Sequence, residues 1–181
     1  FTDIEDYLAS LELKITIYQD EESIIPRMSQ MSQKTNQFNL TTKRYTEGDI
    51  KNFIEEDNSK VYAFSVSDKF GDSGVTGLCI INFDKINKTA DIDTFLMSCR
   101  IIGRNIEYSF MDYLINSLKG DKIKNVTAMY IKTQKNEQVK EFYDRCSFCL
   151  TEYNEHERNY SLDIKKYDTK QIGYGEVFDA K

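Results

Sequence analysis

The chain has 181 residues and a mass of 21.2 kDa, enough for one domain with a real core, and 40% hydrophobic against 30% charged residues excludes wholesale disorder. Lys and Arg number 24 against 30 Asp and Glu, a formal charge of −6, which argues against non-specific nucleic-acid binding; no apolar run approaches the roughly 20 residues that cross a bilayer, so no membrane span is expected. One histidine, His156, leaves polyhistidine metal sites and most His-based nucleophile pairs without material, and no metal is expected.

In chain order, residues 2–12 carry Ile4, Tyr7, Leu8 and Leu11 at helical spacing. Residues 13–19 alternate and are β-branched, which predicts a strand. A helix over 22–34 follows, with Pro26 near its first turn, where a missing N–H does little harm. Residues 34–45 (KTNQFNLTTKRY) are too polar for a core strand and read as a surface loop. Thr46 is a plausible N-cap for the next helix. Three strands at 61–67, 75–83 and 89–98, joined by turn clusters, predict an antiparallel meander. Ile106, Phe110, Leu114 and Leu118 then mark a helix over 103–118. A strand at 125–131, a helix at 136–146 and strands at 148–154 and 158–164 close the pattern, leaving a polar C-terminal tail with little to pack. The order predicts an α+β fold, one βαβ-like crossover embedded in a mostly antiparallel sheet. Its expected divisions are a linker helix over 1–12, the main domain over 13–165 and a tail over 166–181.

Four cysteines, Cys79, Cys99, Cys146 and Cys149, follow no secretory leader, which points to a reducing cytoplasm. Cys146 and Cys149 have C-x-x-C spacing, but no second such pair exists for a structural zinc. The first residue is Phe1, which suggests a piece of something longer.

The junction from strand 89–98 into helix 103–118 concentrates the chemistry. A strand end, a glycine and a helix start present backbone N–H groups to an anion, here over Ile101, Ile102, Gly103, Arg104 and Asn105. Arg100 and Arg104 add charge, and Asn105 tolerates a left-handed backbone. By period-two alternation Asp91 and Asp93 share a face with Phe95, Met97 and Cys99; Asp93 is either a general base or a solvated carboxylate. Cys99, beside a cation and a helix start, is either a nucleophile able to carry a transient thioester or an inert buried thiol.

Arg100-x-x-Gly103-x-Asn105 resembles the Q/R-x-x-G-x-G/A acyl-CoA signature of the GNAT acyltransferases, with its last glycine replaced. Residues 133–148 (TQKNEQVKEFYDRCSF) resemble the second half-site of that family, with Ser147-Phe148 in place of Gly-Phe. The strings 33–45, 68–77 and 92–104 (IDTFLMSCRIIGR) are similar to the C-terminal GNAT-like domain of FkbH-like proteins. There a HAD-type phosphatase domain precedes it and glyceryl units are loaded onto acyl carrier protein.

The resemblance implies a donor thioester on coenzyme A, such as acetyl-CoA, or on the phosphopantetheine of an acyl carrier protein. Backbone groups near Phe95 and Met97 would hold the pantetheine arm and the turn at 100–105 its pyrophosphate. Asn136 would bind the pantetheine or merely cap its helix. Tyr143 would protonate the departing thiolate or serve only as a helix-face aromatic. Asn36, Gln37, Asn39, Thr41 and Arg44 of the polar loop would recognise a small-molecule acceptor. The expected reaction is acyl transfer in a cleft between strands 89–98 and 125–131, and the FkbH-like resemblance implies a glyceryl group. The competing reading is a catalytically silent GNAT-fold module that docks carrier protein or braces an upstream HAD-like domain; a third is a plain N-acetyltransferase.

Overall fold

The computed structural model describes residues 3–170 and 172–180. Phe1, and Thr2 with which the predicted first helix begins, lie outside the described residues, as does Gln171 of the tail. Helix α1 (Asp3–Ser10) opens on Asp3, Glu5 and Asp6, which suit the positive end of the helix dipole, and buries Leu8. Strand β1 (Lys14–Gln19) points Ile15 and Ile17 inward. Helix α2 (Ile25–Lys34) carries Pro26 in its first turn. Helix α3 (Glu47–Glu55) starts on a capping box in which the Thr46 hydroxyl accepts from the Asp49 N–H and the Asp49 carboxylate accepts from the Thr46 N–H.

The predicted meander is β2 (Ser59–Asp68), β3 (Gly71–Asp84) and β4 (Thr89–Met97), antiparallel throughout. Helix α4 (Ile106–Gly120) crosses to β5 (Asn125–Ile131), which lies parallel to β4. A short helix α5 (Phe142–Arg145), strands β6 (Cys149–Tyr153) and β7 (Glu157–Asp163), and a last strand β8 (Glu176–Asp179) complete the chain. The eight strands form one sheet in the order β6-β7-β5-β4-β3-β2-β1-β8. Among the described residues only β4 with β5 and β1 with β8 run parallel, so the fold is mixed and mostly antiparallel, with helices on both faces. On one face Ile25, Met28, Met31 and Ile50 of α2 and α3 pack on Val61, Ala63, Leu78, Ile80 and Leu96. On the other, Phe110, Leu114 and Leu118 of α4 join Phe64, Phe95 and the aromatic residues of α5.

Three expectations are corrected. The helix predicted over 136–146 is a 3-10 turn, Glu137–Val139, followed by the four residues of α5. Glu141 leaves the helical region at φ −104°, and burial of Val139, Phe142, Tyr143 and Cys146 sets the path instead. The tail is packed: β8 pairs with β1 from Lys14↔Glu176 to Ile17↔Asp179, and Tyr167 and Tyr174 lie against the core. Their rings supply apolar surface that a polar average conceals, and the open edge of β1 supplies unpaired backbone groups.

The third correction is on β4. A bulge at Asp93, between Ile80↔Thr94 and Ile81↔Ile92, inserts one residue and shifts the alternation. Phe95 and Met97 therefore join Ala90 and Ile92 in the α4-side core, while Asp91 points to the other side and is exposed. Across β3, Gly77 leaves room for the Phe64 ring; a Cβ there would stand 1.8 Å from it.

Candidate functional site

Strands β4 and β5 pair over only four residue pairs, Thr89↔Asn125 to Ile92↔Ala128, and then diverge. The gap holds residues 38–40 of the same chain. The Leu40 N–H donates to the Phe95 carbonyl at 3.1 Å, the Met97 N–H to the Phe38 carbonyl at 2.9 Å, and the Ile131 N–H to the Leu40 carbonyl at 2.8 Å. Asn39 sits opposite Leu96 in antiparallel register. The segment is thus a one-residue-pair stitch between β4 and β5. Phe38, Asn39, Leu40 and Thr41 are all buried, where a surface loop was expected. The Phe38 ring fills the space beneath, 5.4 Å from Phe142 and 6.2 Å from Phe95 between ring centres.

Side chains hold the stitch in place. Asn39 donates to the Thr35 carbonyl and accepts from the Thr42 N–H. The Thr41 hydroxyl donates to the Asp93 carbonyl at 3.1 Å. Arg44 donates to the Ser32 and Thr35 carbonyls, at the carbonyl end of α2, and to the Asn36 side chain. Asn136, fully buried, donates to the carbonyls of Asn39 and Ile131 and accepts from the Thr133 N–H and the Tyr130 hydroxyl. Of the expected recognition residues, Asn39, Thr41 and Arg44 have their polar atoms engaged in this wiring, whereas Gln37 is exposed.

Asp93 is the anchor on the strand side. Its carboxylate accepts from the Lys43 ammonium at 2.9 Å, the Tyr45 hydroxyl at 2.6 Å and the Thr94 hydroxyl at 2.8 Å. Burial, and then its bond to Asp93, push the Tyr45 phenol upward. Three donors thus occupy the one carboxylate. Lys43, which with Arg44 was expected to meet a phosphate, instead pairs with Asp93, and Tyr45 escaped the sequence reading of the site; the signal lay in the basic-aromatic run Lys43-Arg44-Tyr45 just past buried Thr41.

Tyr143 lies under the divergence, 1% exposed, with Phe142, Phe148 and Tyr160 at 5.4, 5.1 and 5.5 Å between ring centres. Burial pushes its phenol well up, so it holds its proton at neutral pH, and among the described residues the hydroxyl has no hydrogen-bond partner.

At the outer end of β4 a 3-10 turn, Cys99–Ile101, leads to α4. Ile101 is buried and Ile102 half-buried. Gly103 takes φ +95°, with nothing within 4 Å of a Cβ, and Asn105 takes φ 60° as the residue before α4. The turn is open and suits an anion at a helix N-terminus. Arg104 is tied to Asp68 at 3.2 Å and directed away to the β2–β3 turn, whereas Arg100 is exposed. Burial and then the charge of Arg100 lower Arg27, so two guanidinium groups stand near one another on the α2 side. Cys99 is exposed, its Sγ 3.4 Å from Gln37 Oε1. Cys79 and Cys146 are buried, and burial pushes both thiols up. The residues therefore fit a phosphate-bearing group at the turn but not a pantetheine arm in the divergence, where the Phe95 carbonyl and the Met97 and Ile131 N–H groups are taken. Among the described residues no group of His, Cys, Asp and Glu is placed to hold a metal ion, and no helix is long and apolar enough to cross a membrane.

The sheet order, the β4–β5 divergence and the crossover through α4 define the fold of the GNAT N-acetyltransferases. Among solved structures the chain is similar to a variant of the spermidine N-acetyltransferase SpeG from Vibrio cholerae (TM-score 0.64, 11% identity, 84% of this chain and 95% of that one). It is similar also to the ribosomal-protein-S18-alanine N-acetyltransferase from Escherichia coli (TM-score 0.63, 11% identity, 83% and 94%). Ard1 from Thermoplasma volcanium gives a TM-score of 0.61 at 17% identity over 82% and 97%. No protein-family model matches the sequence, and no curated protein matches it.

Proposed function

We propose that the chain is a GNAT-fold acyltransferase in which Cys99 carries the acyl group between a donor thioester and an acceptor. The observation that carries this reading is the pairing of a filled divergence with an exposed thiol at its mouth. Residues 38–40 occupy the place where a direct transfer would run, and Cys99 stands at the outer end of the same strand beside Gln37. The Cys99 sulfur attacks the thioester carbonyl, the donor C–S bond breaks, and the thiol proton leaves with the donor sulfur. An acceptor thiol or hydroxyl then takes the acyl group by the reverse steps, giving up its proton to Cys99. Arg100, exposed at the open turn before α4, suits a phosphate-bearing donor, either coenzyme A or the phosphopantetheine of an acyl carrier protein, while the Arg27 guanidinium is engaged by the Val75 carbonyl and Gln30. The resemblance to FkbH-like proteins favours a glyceryl group, a carrier-protein partner and an upstream HAD-like domain. Free cysteines favour a reducing, cytoplasmic setting.

A second reading has its own support. The same stitch, with its backbone and side-chain hydrogen bonds, suits a silent GNAT-fold module that docks other proteins. Intact-mass measurement after incubation with acetyl-CoA and with a glyceryl thioester separates the two. The acyltransferase reading expects a hydroxylamine-labile adduct at Cys99, absent from Cys99→Ala. Transfer that continues undiminished in Cys99→Ala removes the Cys99 route, and neither adduct nor transfer with any thioester favours the silent module.

A further inference from the structure

The end of the sheet opposite Cys99 carries a different surface. The turn before β4, the end of α4, the approach to β5 and the 3-10 turn Ile164–Lys166 enclose a cavity of about 490 Å³. Ile123 and Ile164, 5% and 7% exposed, form its recessed apolar wall. Lys88, Lys119, Lys122, Lys124 and Lys165 make up the rest of the lining, with no carboxylate among the lining residues. None of these five ammonium groups forms an ion pair among the described residues; the neighbouring Asp121 is taken by Lys60 at 2.6 Å. Lys119 answers the carbonyl end of α4 and Lys165 that of the 3-10 turn Ile164–Lys166, but Lys88, Lys122 and Lys124 lie in no helix's last turn. Lys88 and Lys122 even occupy left-handed positions, φ 58° and 64°, where Asn or Gly would sit with less strain.

Five unpaired like charges on one rim repel one another, in a chain that is acidic as a whole. Their stems supply apolar lining while their heads face solvent. We infer that this cavity docks an acidic protein segment that inserts one apolar side chain between Ile123 and Ile164 while its flanking carboxylates meet the lysines. A recessed wall needs a projecting knob, which a nucleic-acid backbone does not bring. A bilayer is bound by side chains that protrude, and here the apolar residues are withdrawn. Strand β4 spans nine residues, about 30 Å, between this cavity and the Cys99 turn, so the surface is independent of the acyl-transfer reading.

The test is a fluorescent peptide of alternating Asp and Glu with a central Leu-Phe, titrated by anisotropy while the Ile123 and Ile164 methyl resonances are followed. Binding that shifts both resonances, weakens at least tenfold when Leu-Phe becomes Ser-Ser, and is lost in Lys119→Glu/Lys122→Glu/Lys124→Glu supports the proposal. A weakening with rising salt is expected as well. No binding up to millimolar peptide overturns it, as does binding that the triple variant retains. Equal or tighter binding at these resonances by vesicles of phosphatidylserine and phosphatidylcholine, or by duplex DNA, overturns the assignment of a protein partner.

Discussion

The Asn136 side-chain amide donates to the main-chain carbonyl of Asn39 at 3.0 Å, joining residues 97 apart in sequence. That bond fastens the 38–40 stitch to the end of β5, and the same side chain accepts from Thr133 and Tyr130. Asn136→Ala leaves several buried polar groups unpaired at once, at about 1–3 kcal/mol for an unsatisfied group. The expected result is a drop of at least that size in urea denaturation. Amide hydrogen exchange at Leu40 and Ile131 should quicken far more than at Val126, inside the paired part of β5. Uniform exchange changes would mean that Asn136 supports the core in general and not the stitch.

Asp93 is expected to behave as an anchor. Asp93→Asn weakens acceptance from Lys43 and Tyr45 and should lower stability by about 1–3 kcal/mol, toward the low end because Lys43 is partly exposed. Tyr45→Phe removes one of the three donors and should produce a smaller loss in the same region. Exchange at Thr41 and Lys43 amides is expected to rise in both variants. If Asp93→Asn abolished transfer while Tyr45→Phe left it intact at equal protection of that loop, a proton-transfer role would be the better account.

The parts of the fold that were legible are those whose signal is local. Period-two apolar residues placed the meander, four-residue spacing placed α4, and Thr46 marked a helix start that the structure realises as a capping box with Asp49. What escaped was decided by contacts distant in sequence. Phe38 and Leu40 flank Asn39 with strand-like alternation, but a single residue pair with Leu96 falls below what periodicity can resolve. The bulge at Asp93 has no side-chain signature, and it moved Phe95 and Met97 away from the face of Asp91. Strand β8 depends on the free edge of β1, about 160 residues earlier, not on its own composition. At the candidate site, the strand–turn–helix layout around Cys99 and residues 100–105 was legible because a strand, a glycine and a helix follow one another; the contact of Cys99 with Gln37 was not.

Gly77→Ala tests the close packing behind β4. The added methyl overlaps the Phe64 ring, which meets Phe110 edge to face at 4.7 Å between ring centres, so the ring must move and α4 with it. Overpacking of this kind costs about 1–3 kcal/mol. The denaturation midpoint should fall, and pairing Gly77→Ala with Phe64→Leu should recover part of the loss.

Glu107 gives a pH signature. It lies in the first turn of α4, buried, with Oε2 lacking a hydrogen-bond partner among the described residues, and burial, opposed only in part by the charge of Arg145, raises its carboxyl above the usual value of 4.5. A group that binds its proton more tightly when folded adds stability below the unfolded value, and that contribution is lost as pH rises toward the folded one. Glu107→Gln should therefore be more stable than the parent at pH 7 and close to it at pH 4. Urea denaturation at the two pH values decides it; a variant less stable at pH 7 would show that helix-dipole attraction outweighs the burial.

The tail is held by phenols on carboxylates, which predicts an alkaline transition at β8. Tyr167 donates to Asp112, whose carboxylate also accepts from the Lys170 N–H, and Tyr113 donates to Asp179 of β8 at 2.5 Å. Burial and then the accepting carboxylate raise both phenols, Tyr113 to about 12 from the ordinary 10 and Tyr167 further. Their contribution to folding is complete below pH 10 and is lost as pH climbs through the raised values, because the phenolate cannot donate and faces a like charge. Thermal melts from pH 9 to 12 should fall more steeply in the parent than in Tyr113→Phe/Tyr167→Phe, which begins less stable but has no such protons to lose. Other buried phenols, Tyr62 and Tyr160 among them, contribute the slope the two proteins share, so the difference between the curves isolates the tail. Trypsin digestion followed by mass spectrometry locates the effect. Cleavage after Lys170 should accelerate in the parent above pH 10, and an unchanged cleavage rate there would mean that β8 is held by its pairing with β1 alone.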